Sequence, residues 1–526
     1  MSYPFTRSPI NRPLSHLLLL LPMIVLPFDY GGVLHWFWCA VAGVFLVGMA
    51  ILVAVDAEFL SGGIARCNTN LGSGCVHYVE TNRRMGGAQR NPSSKILNAN
   101  SYKVSRKWPI VIAAILVFPL IQLLPLPQSW IAIISPERWA WLHRAREITG
   151  LDGWPSLSYI PLRSLSMYLW WICLAGYALL LKKAIENSDD FTWFFNGLFL
   201  IAGFEAVYGL LQVLIPSLGV FGIDTGHVAC GTFMNRDNYA AFLGMIWPLL
   251  MARLLRLDVW KSREKLSYFD TALQRQVRQK QFFLALILGL VILSLFFSES
   301  RGGILCFFIV LTVFVLFGPR AKQRWMRFLV AVPWMVMVLY GGYLGFGEIV
   351  KRFEMIGNDA QGRIEIWQDS WQLIKDNPLV GSGLDSYQPV IFLYQKNDTD
   401  NTQIGAAHND YLQLAADMGL PFAAAIVLLL WGYWWFTAIG LARRNRFNAD
   451  SGGDDPAKRG TAPYGGSDRY DLIQVGALAG MAGFLCHSWV EFNWQIPANQ
   501  LYFMMLLVFM RSSVRFARPR FEGKSS

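Results

Sequence analysis

A small set of basic residues in this chain has the chemistry to hold an anion and to accept a proton. Arg301 stands in Ser300-Arg-Gly-Gly303, between two long apolar runs. The adjacent glycines, Gly302 and Gly303, permit a sharp turn and close backbone approach, as an anion held by a Gly-rich turn requires. The same arginine would also serve as an interfacial cation reaching lipid headgroups. Arg363 opens the run Arg363-Ile-Glu-Ile-Trp367, where a planar guanidinium can take two phosphate oxygens at once. Standing alone, it reads equally as a surface arginine. Arg236, in Asn235-Arg-Asp-Asn238, is similar, and Asp237 beside it can neutralise it. His408 precedes Asn409 and Asp410, either of which can cap the helix that follows. The positive end of that helix favours a neutral imidazole, the form that works as a general base.

Other polar residues read less sharply. Asp398-Thr-Asp400 has the pattern of an acidic pair that holds a metal for sugar-nucleotide transfer. Its Asn- and Asp-rich flanks suit a solvated loop instead, so no metal and no cofactor is expected. Glu205 falls inside an apolar stretch, where an acid is either functional or held by hydrogen bonds. The seven cysteines lack paired spacing and imply no disulfide framework. Cys67, Cys75 and His77 lie close together but lack a fourth zinc ligand.

The elements that must position these residues are membrane helices. Only 15% of the 526 residues are charged and 54% are apolar, whereas a soluble chain carries about a quarter charged. Twelve stretches suit spans of about 20 residues: 14–28, 34–55, 108–126, 164–181, 191–215, 238–252, 281–298, 303–318, 329–346, 420–442, 471–490 and 499–510. Leu17 to Leu26 lacks a following cleavage site, so the first is expected to remain as a span. With the amino terminus inside, 35 of the 46 Lys and Arg fall in cytoplasmic segments and 11 outside. That is the positive-inside pattern. It explains the net charge of +11 by topology, with anionic lipids as partners and no role for nucleic acid.

The expected organisation is spans 1 and 2 over 1–55, a flexible cytoplasmic loop over 56–107, and spans 3 and 4 with an outer loop over 108–189. A membrane region that holds the candidate residues follows over 190–510, and a basic cytoplasmic tail over 511–526. Its outer loop, 347–419, lies between spans nine and ten and carries an amphipathic helix from Arg363 that ends at Asn377–Pro378. Ile364, Trp367, Trp371 and Ile374 recur at helical spacing. Such a face suits either the membrane interface or packing against neighbouring loops.

Taken in order, Ser300-Arg-Gly-Gly303, Gly362-Arg363…Trp367, Asn377-Pro-Leu-Val-Gly-Ser-Gly383 and His408-Asn-Asp-Tyr-Leu-Gln413 resemble the core of the O-antigen ligase and polymerase superfamily. Tyr208-Gly-Leu-Leu-Gln212, Gly231-Thr-Phe…Asn235-Arg236 and His487 to Asn499 are similar to further family features, so the resemblance covers roughly 190–510. Asp417 stands where many relatives carry Glu. The charge partition places both termini in the cytoplasm, and the resemblance implies an all-α, polytopic, GT-C-like glycosyltransferase of the bacterial inner membrane with its site facing the periplasm. Its donor would be a glycan on undecaprenyl diphosphate. Its acceptor would be lipid A core or a growing polysaccharide, as in O-antigen ligation or exopolysaccharide polymerisation. Arg301 and Arg363 would bind the diphosphate and His408 would act as base in a metal-independent, inverting transfer. Arg236, Asn235, Gly302, Gly303, Trp367, Asn409 and Asp410 would help bind substrate. A lipid-linked glycan flippase or transporter is the alternative from another class.

Overall fold

The computed structural model describes residues 11–28, 40–49, 108–150, 155–187, 191–263, 271–318, 362–395, 405–450 and 471–512, and these are helical throughout their regular elements. In chain order the helices are α1 (Asn11–Phe28), α2 (Ala40–Met49), α3 (Trp108–Leu123), α4 (Gln128–Ile134), α5 (Pro136–Thr149), α6 (Pro161–Asn187), α7 (Thr192–Leu214) and α8 (Arg236–Arg263). Then come α9 (Thr271–Phe297), α10 (Arg301–Phe317), α11 (362–376), α12 (Tyr387–Ile391), α13 (Asp410–Met418), α14 (Leu420–Asp450), α15 (Asp471–His487) and α16 (Pro497–Phe509). Every expected span falls at least in part on one of these helices except 329–346, which lies outside the described residues, as do 56–107 and Asp398–Asp400. Five of the helices are long and apolar enough to cross a membrane, and six more apolar helices are shorter.

Close packing of α8, α10 and α15 forms the centre. Gly476, Gly480 and Gly483 lie on one face of α15, and a Cβ there would meet Pro248 O at 2.7 Å, Met245 O at 3.0 Å and the Val310 side chain at 2.3 Å. Small residues at this spacing let helix backbones approach where lipid supplies no hydrophobic drive. Around them Trp247, Phe242, Phe195 and Tyr502 fill the core.

Residues 362–395 and 405–423 build a separate small core from Leu373, Ile374, Tyr387, Ile391, Ala407 and Ala416. This cap is fastened to the bundle by Gln122 at the end of α3, which donates to Val380 O at 2.6 Å and Asp417 O at 3.0 Å. Two further helices, α4 and α5, lie in the loop after α3 and were not anticipated. Their signals are local: Ser135-Pro-Glu137 opens α5, and Gly150, at φ 66°, ends it in the left-handed conformation.

Candidate functional site

The first turn of α10 follows from its sequence. Ser300 is its N-cap, and the hydroxyl accepts from Gly303 N at 3.0 Å. Ser300 Oγ also donates to Asp237 Oδ1 at 2.5 Å, while Asp237 N donates to Asn235 Oδ1 at 2.7 Å. The two motif turns are therefore a single hydrogen-bonded unit. Gly302 and Gly303 are needed here for packing. A Cβ on Gly303 would stand 2.5 Å from Ala240 Cβ, and one on Gly302 would stand 2.7 Å from His487 Nε2. Arg301 projects from this turn, exposed. Arg236 is exposed too and lies 3.9 Å from Glu299.

Upstream, Glu205 on α7 is fully buried and accepts from Thr232 N at 2.9 Å and Thr232 Oγ1 at 2.8 Å. Gln212 donates to Gly219 O and Gly231 O, each at 2.7 Å. These contacts give the buried acid hydrogen-bonded employment: it pins the loop that delivers Asn235 and Arg236.

The other half of the site is assembled from α11, the start of α13 and the segment after α15. Arg363 donates through Nη1 to Val490 O at 2.9 Å and through Nη2 to Glu491 Oε1 at 2.5 Å. The second oxygen of Glu491 lies 3.1 Å from His408 Nδ1. One buried carboxylate thus holds a guanidinium from α11 and an imidazole from the segment before α13. Burial works to raise the Glu491 carboxyl, but its hydrogen bond to His408 and the charge of Arg363 outweigh this and hold it below its ordinary range.

His408 sits at φ 47°, a left-handed conformation costing a non-glycine residue on the order of 1–2 kcal/mol. Fixed contacts hold it there. Its ring meets Phe492 edge-on at 5.0 Å, and Trp367 Nε1 donates to the neighbouring Ala407 O at 2.9 Å. Trp367 is therefore turned toward the histidine loop, whereas Ile364 and Trp371 are exposed. The apolar face expected on α11 is split between these two environments.

Asn409 is the N-cap of α13, accepting from Tyr411 N at 3.1 Å and Leu412 N at 3.0 Å. Asp410 is buried, and its two oxygens accept from Trp494 N, each at 3.1 Å. Burial pushes its carboxyl well above the ordinary range. Asn409 thus starts α13, while Asp410 holds the His408 loop against 488–494. Asp417 is likewise buried, with Oδ1 accepting from Ser386 N at 3.1 Å and Tyr387 N at 2.8 Å.

Arg363, His408 and Glu491 therefore come together. The first turn of α10 is joined to them through 487–490, because Gly302 would meet both His487 and Val490 if it carried a Cβ. Glu491 and His487 were not singled out individually from the sequence. The signal that reached them was only the resemblance of His487 to Asn499 to a family feature, which carries no chemical role by itself.

Comparison with known proteins adds that residues 284–427 match the family model described as O-Antigen ligase. The matched segment contains Arg301, Arg363 and His408, while Arg236, His487 and Glu491 lie outside it and reach the same place through folding. No curated protein matches the chain.

Proposed function

From a chain whose 284–427 match supports the O-antigen ligase and polymerase superfamily, we propose a membrane glycosyltransferase that works on the outer face of the inner membrane. It moves a glycan from undecaprenyl diphosphate to a sugar hydroxyl on lipid A core or on a growing polysaccharide. The observation that carries this reading is the Glu491 carboxylate shared by Arg363 and His408.

In this reaction the acceptor oxygen attacks the anomeric carbon, and the carbon–oxygen bond to the diphosphate breaks. The departing diphosphate keeps the bonding electron pair. With Nδ1–H donated to Glu491, Nε2 of His408 has the free lone pair and takes the hydroxyl proton, worth about 10²–10⁴ in rate. Glu491 fixes the ring and steadies the imidazolium, as a carboxylate does behind any histidine base. Arg301 and the unused N–H groups of Arg363 offset charge on the leaving diphosphate. Attack opposite the leaving group inverts the anomeric centre. The leaving group is already activated, so no divalent metal is needed for the chemistry.

Purified wild-type protein given its lipid-linked donor and acceptor should transfer glycan in the presence of a chelator. His408→Ala should keep donor binding and lose most turnover. Near wild-type transfer by correctly inserted His408→Ala protein would remove the base assignment. Export of lipid-linked glycan without any transfer would favour a flippase.

A further inference from the structure

Away from the Arg–His–Glu cluster, the cap carries a second feature with the chemistry of a binding site. An open cleft of about 300 Å³ lies between α5, α11 and the chain after α12. Its walls include Glu137 and Trp141, Gln372 and Asp376, and Tyr394 and Gln395. We propose that this cleft binds sugar rings of an extended glycan, several units from the bond being made.

The lining argues for carbohydrate. Aromatic rings such as Trp141 and Tyr394 offer flat apolar faces for the C–H face of a pyranose, while carboxylates and amides exchange hydrogen bonds with its hydroxyls. The carboxylates of Glu137 and Asp376 are opposed by no cation among the lining residues, which favours neutral or amino sugars over acidic ones. Gln372 Nε2 donates to Asp376 Oδ1 at 3.1 Å, which orients that carboxylate. Arg144 lies 5.4 Å from the Trp141 ring centre and steadies the indole.

The cleft is also preformed, as specific sites usually are. Ser135 Oγ, just before α5, donates to Asn377 Oδ1 at 2.9 Å, just after α11. Tyr159 Oη donates to the same oxygen at 3.3 Å, and Arg138 stacks over the Tyr159 ring at 4.6 Å. Arg138 Nη2 also reaches Ser158 O at 3.0 Å. Both walls are thereby tied to one strut. Position completes the case. Gln372 and Asp376 follow Arg363 on the same helix, about 14 and about 20 Å further along its axis at 1.5 Å per residue. A chain held at Arg363 by its reducing end would need several rings to reach them.

The ligand's identity rests on the transferase reading, but its binding can be measured without transfer. The probe is oligosaccharide released by mild acid from the cell's own lipid-linked glycan, labelled and dialysed to equilibrium against full-length protein in detergent. Trp141→Ala should weaken binding about five- to tenfold, the loss of one aromatic contact. Glu137→Gln with Asp376→Asn, which keeps the shape, should weaken it comparably. In transfer assays KM should rise for an extended donor if the donor fills the cleft, or for an extended acceptor if the acceptor does. The single-sugar counterparts and kcat should stay unmoved. Normal binding by both variants, or an equal KM rise for short and long substrates, overturns the cleft. Variant-sensitive binding by a wild-type protein that transfers nothing keeps the cleft and defeats the transferase reading.

Discussion

The cap and the helix ends beneath it both bury polar groups, and they differ in how many they leave unpartnered among the described residues. In the cap, Ser370, Ser382, Ser386, Tyr387 and Asp417 are laced together and tied to Gln122 of α3: Ser370 and Tyr387 share a hydroxyl contact at 2.6 Å, and Ser386 Oγ donates to Ser382 Oγ at 2.7 Å. At the helix ends, both ring nitrogens of His487, Oδ1 of Asn238 and Asn499, and the side-chain amide of Asn493 find no hydrogen-bond partner among the described residues. A buried donor or acceptor left unmade costs about 1–3 kcal/mol, so a partnered network reads as scaffold and an unpartnered set as a place awaiting water or substrate. Of this set, His487 lies against Gly302, and Asn499 is tied to Asn238 O through its amide nitrogen at 3.1 Å. The cap network thus braces the elements next to Arg363 and His408, while His487 at the helix ends is left without a side-chain partner among the described residues.

The largest expected effect lies where the two regions meet. Glu491→Gln should lower kcat by about 10²-fold or more, because the shared carboxylate orients both neighbours. The same variant should change the acid response of this junction. Glu491 is held below its ordinary range in the fold, so its contribution is present above the unfolded carboxylate value and is lost as pH falls through the depressed one. Proteolysis of the His408 loop at falling pH should therefore accelerate in wild type and be flatter in Glu491→Gln. A small kcat change with an unaltered proteolysis profile would break the link between cap and helix ends.

A matched pair of apolar replacements tests the contrast itself. Gln122→Leu removes three cap hydrogen bonds and should destabilise the protein by about 2–3 kcal/mol, read as a lower Tm in detergent. His487→Leu removes no side-chain hydrogen bond made among the described residues, so Tm should hold or rise while transfer falls. If His487→Leu instead unfolds the protein with residual activity in proportion, the helix ends are scaffold like the cap. The smallest effect is expected at Trp371. It is exposed on α11 and outside both networks, so Trp371→Ala should shift stability by no more than about 0.5 kcal/mol. Its partition between detergent and vesicle would then measure any interfacial anchoring.

Much of this molecule was readable from one dimension. Charge segregation and apolar runs located the helices, because a membrane span is a local property of about 20 consecutive residues. Ser300, Asn409 and Gly150 mark helix ends for the same reason, since capping acts within one turn. Arg301, Arg363 and His408 drew notice by residue type and neighbourhood. What needed the tertiary structure was partnership. Glu491 and His408 are 83 residues apart and touch at 3.1 Å, and nothing in either neighbourhood names the other. The two glycines after Arg301 announced a close approach without saying to what, and the fold answers with His487 and Ala240. Trp367 and Trp371 look equivalent by helical period, yet one is turned to the histidine loop and the other outward, because the small cap core covers only part of α11. Local sequence sets helix positions and ends by short-range hydrogen bonding and transfer energy; which side chains share a carboxylate is decided only when distant helices pack.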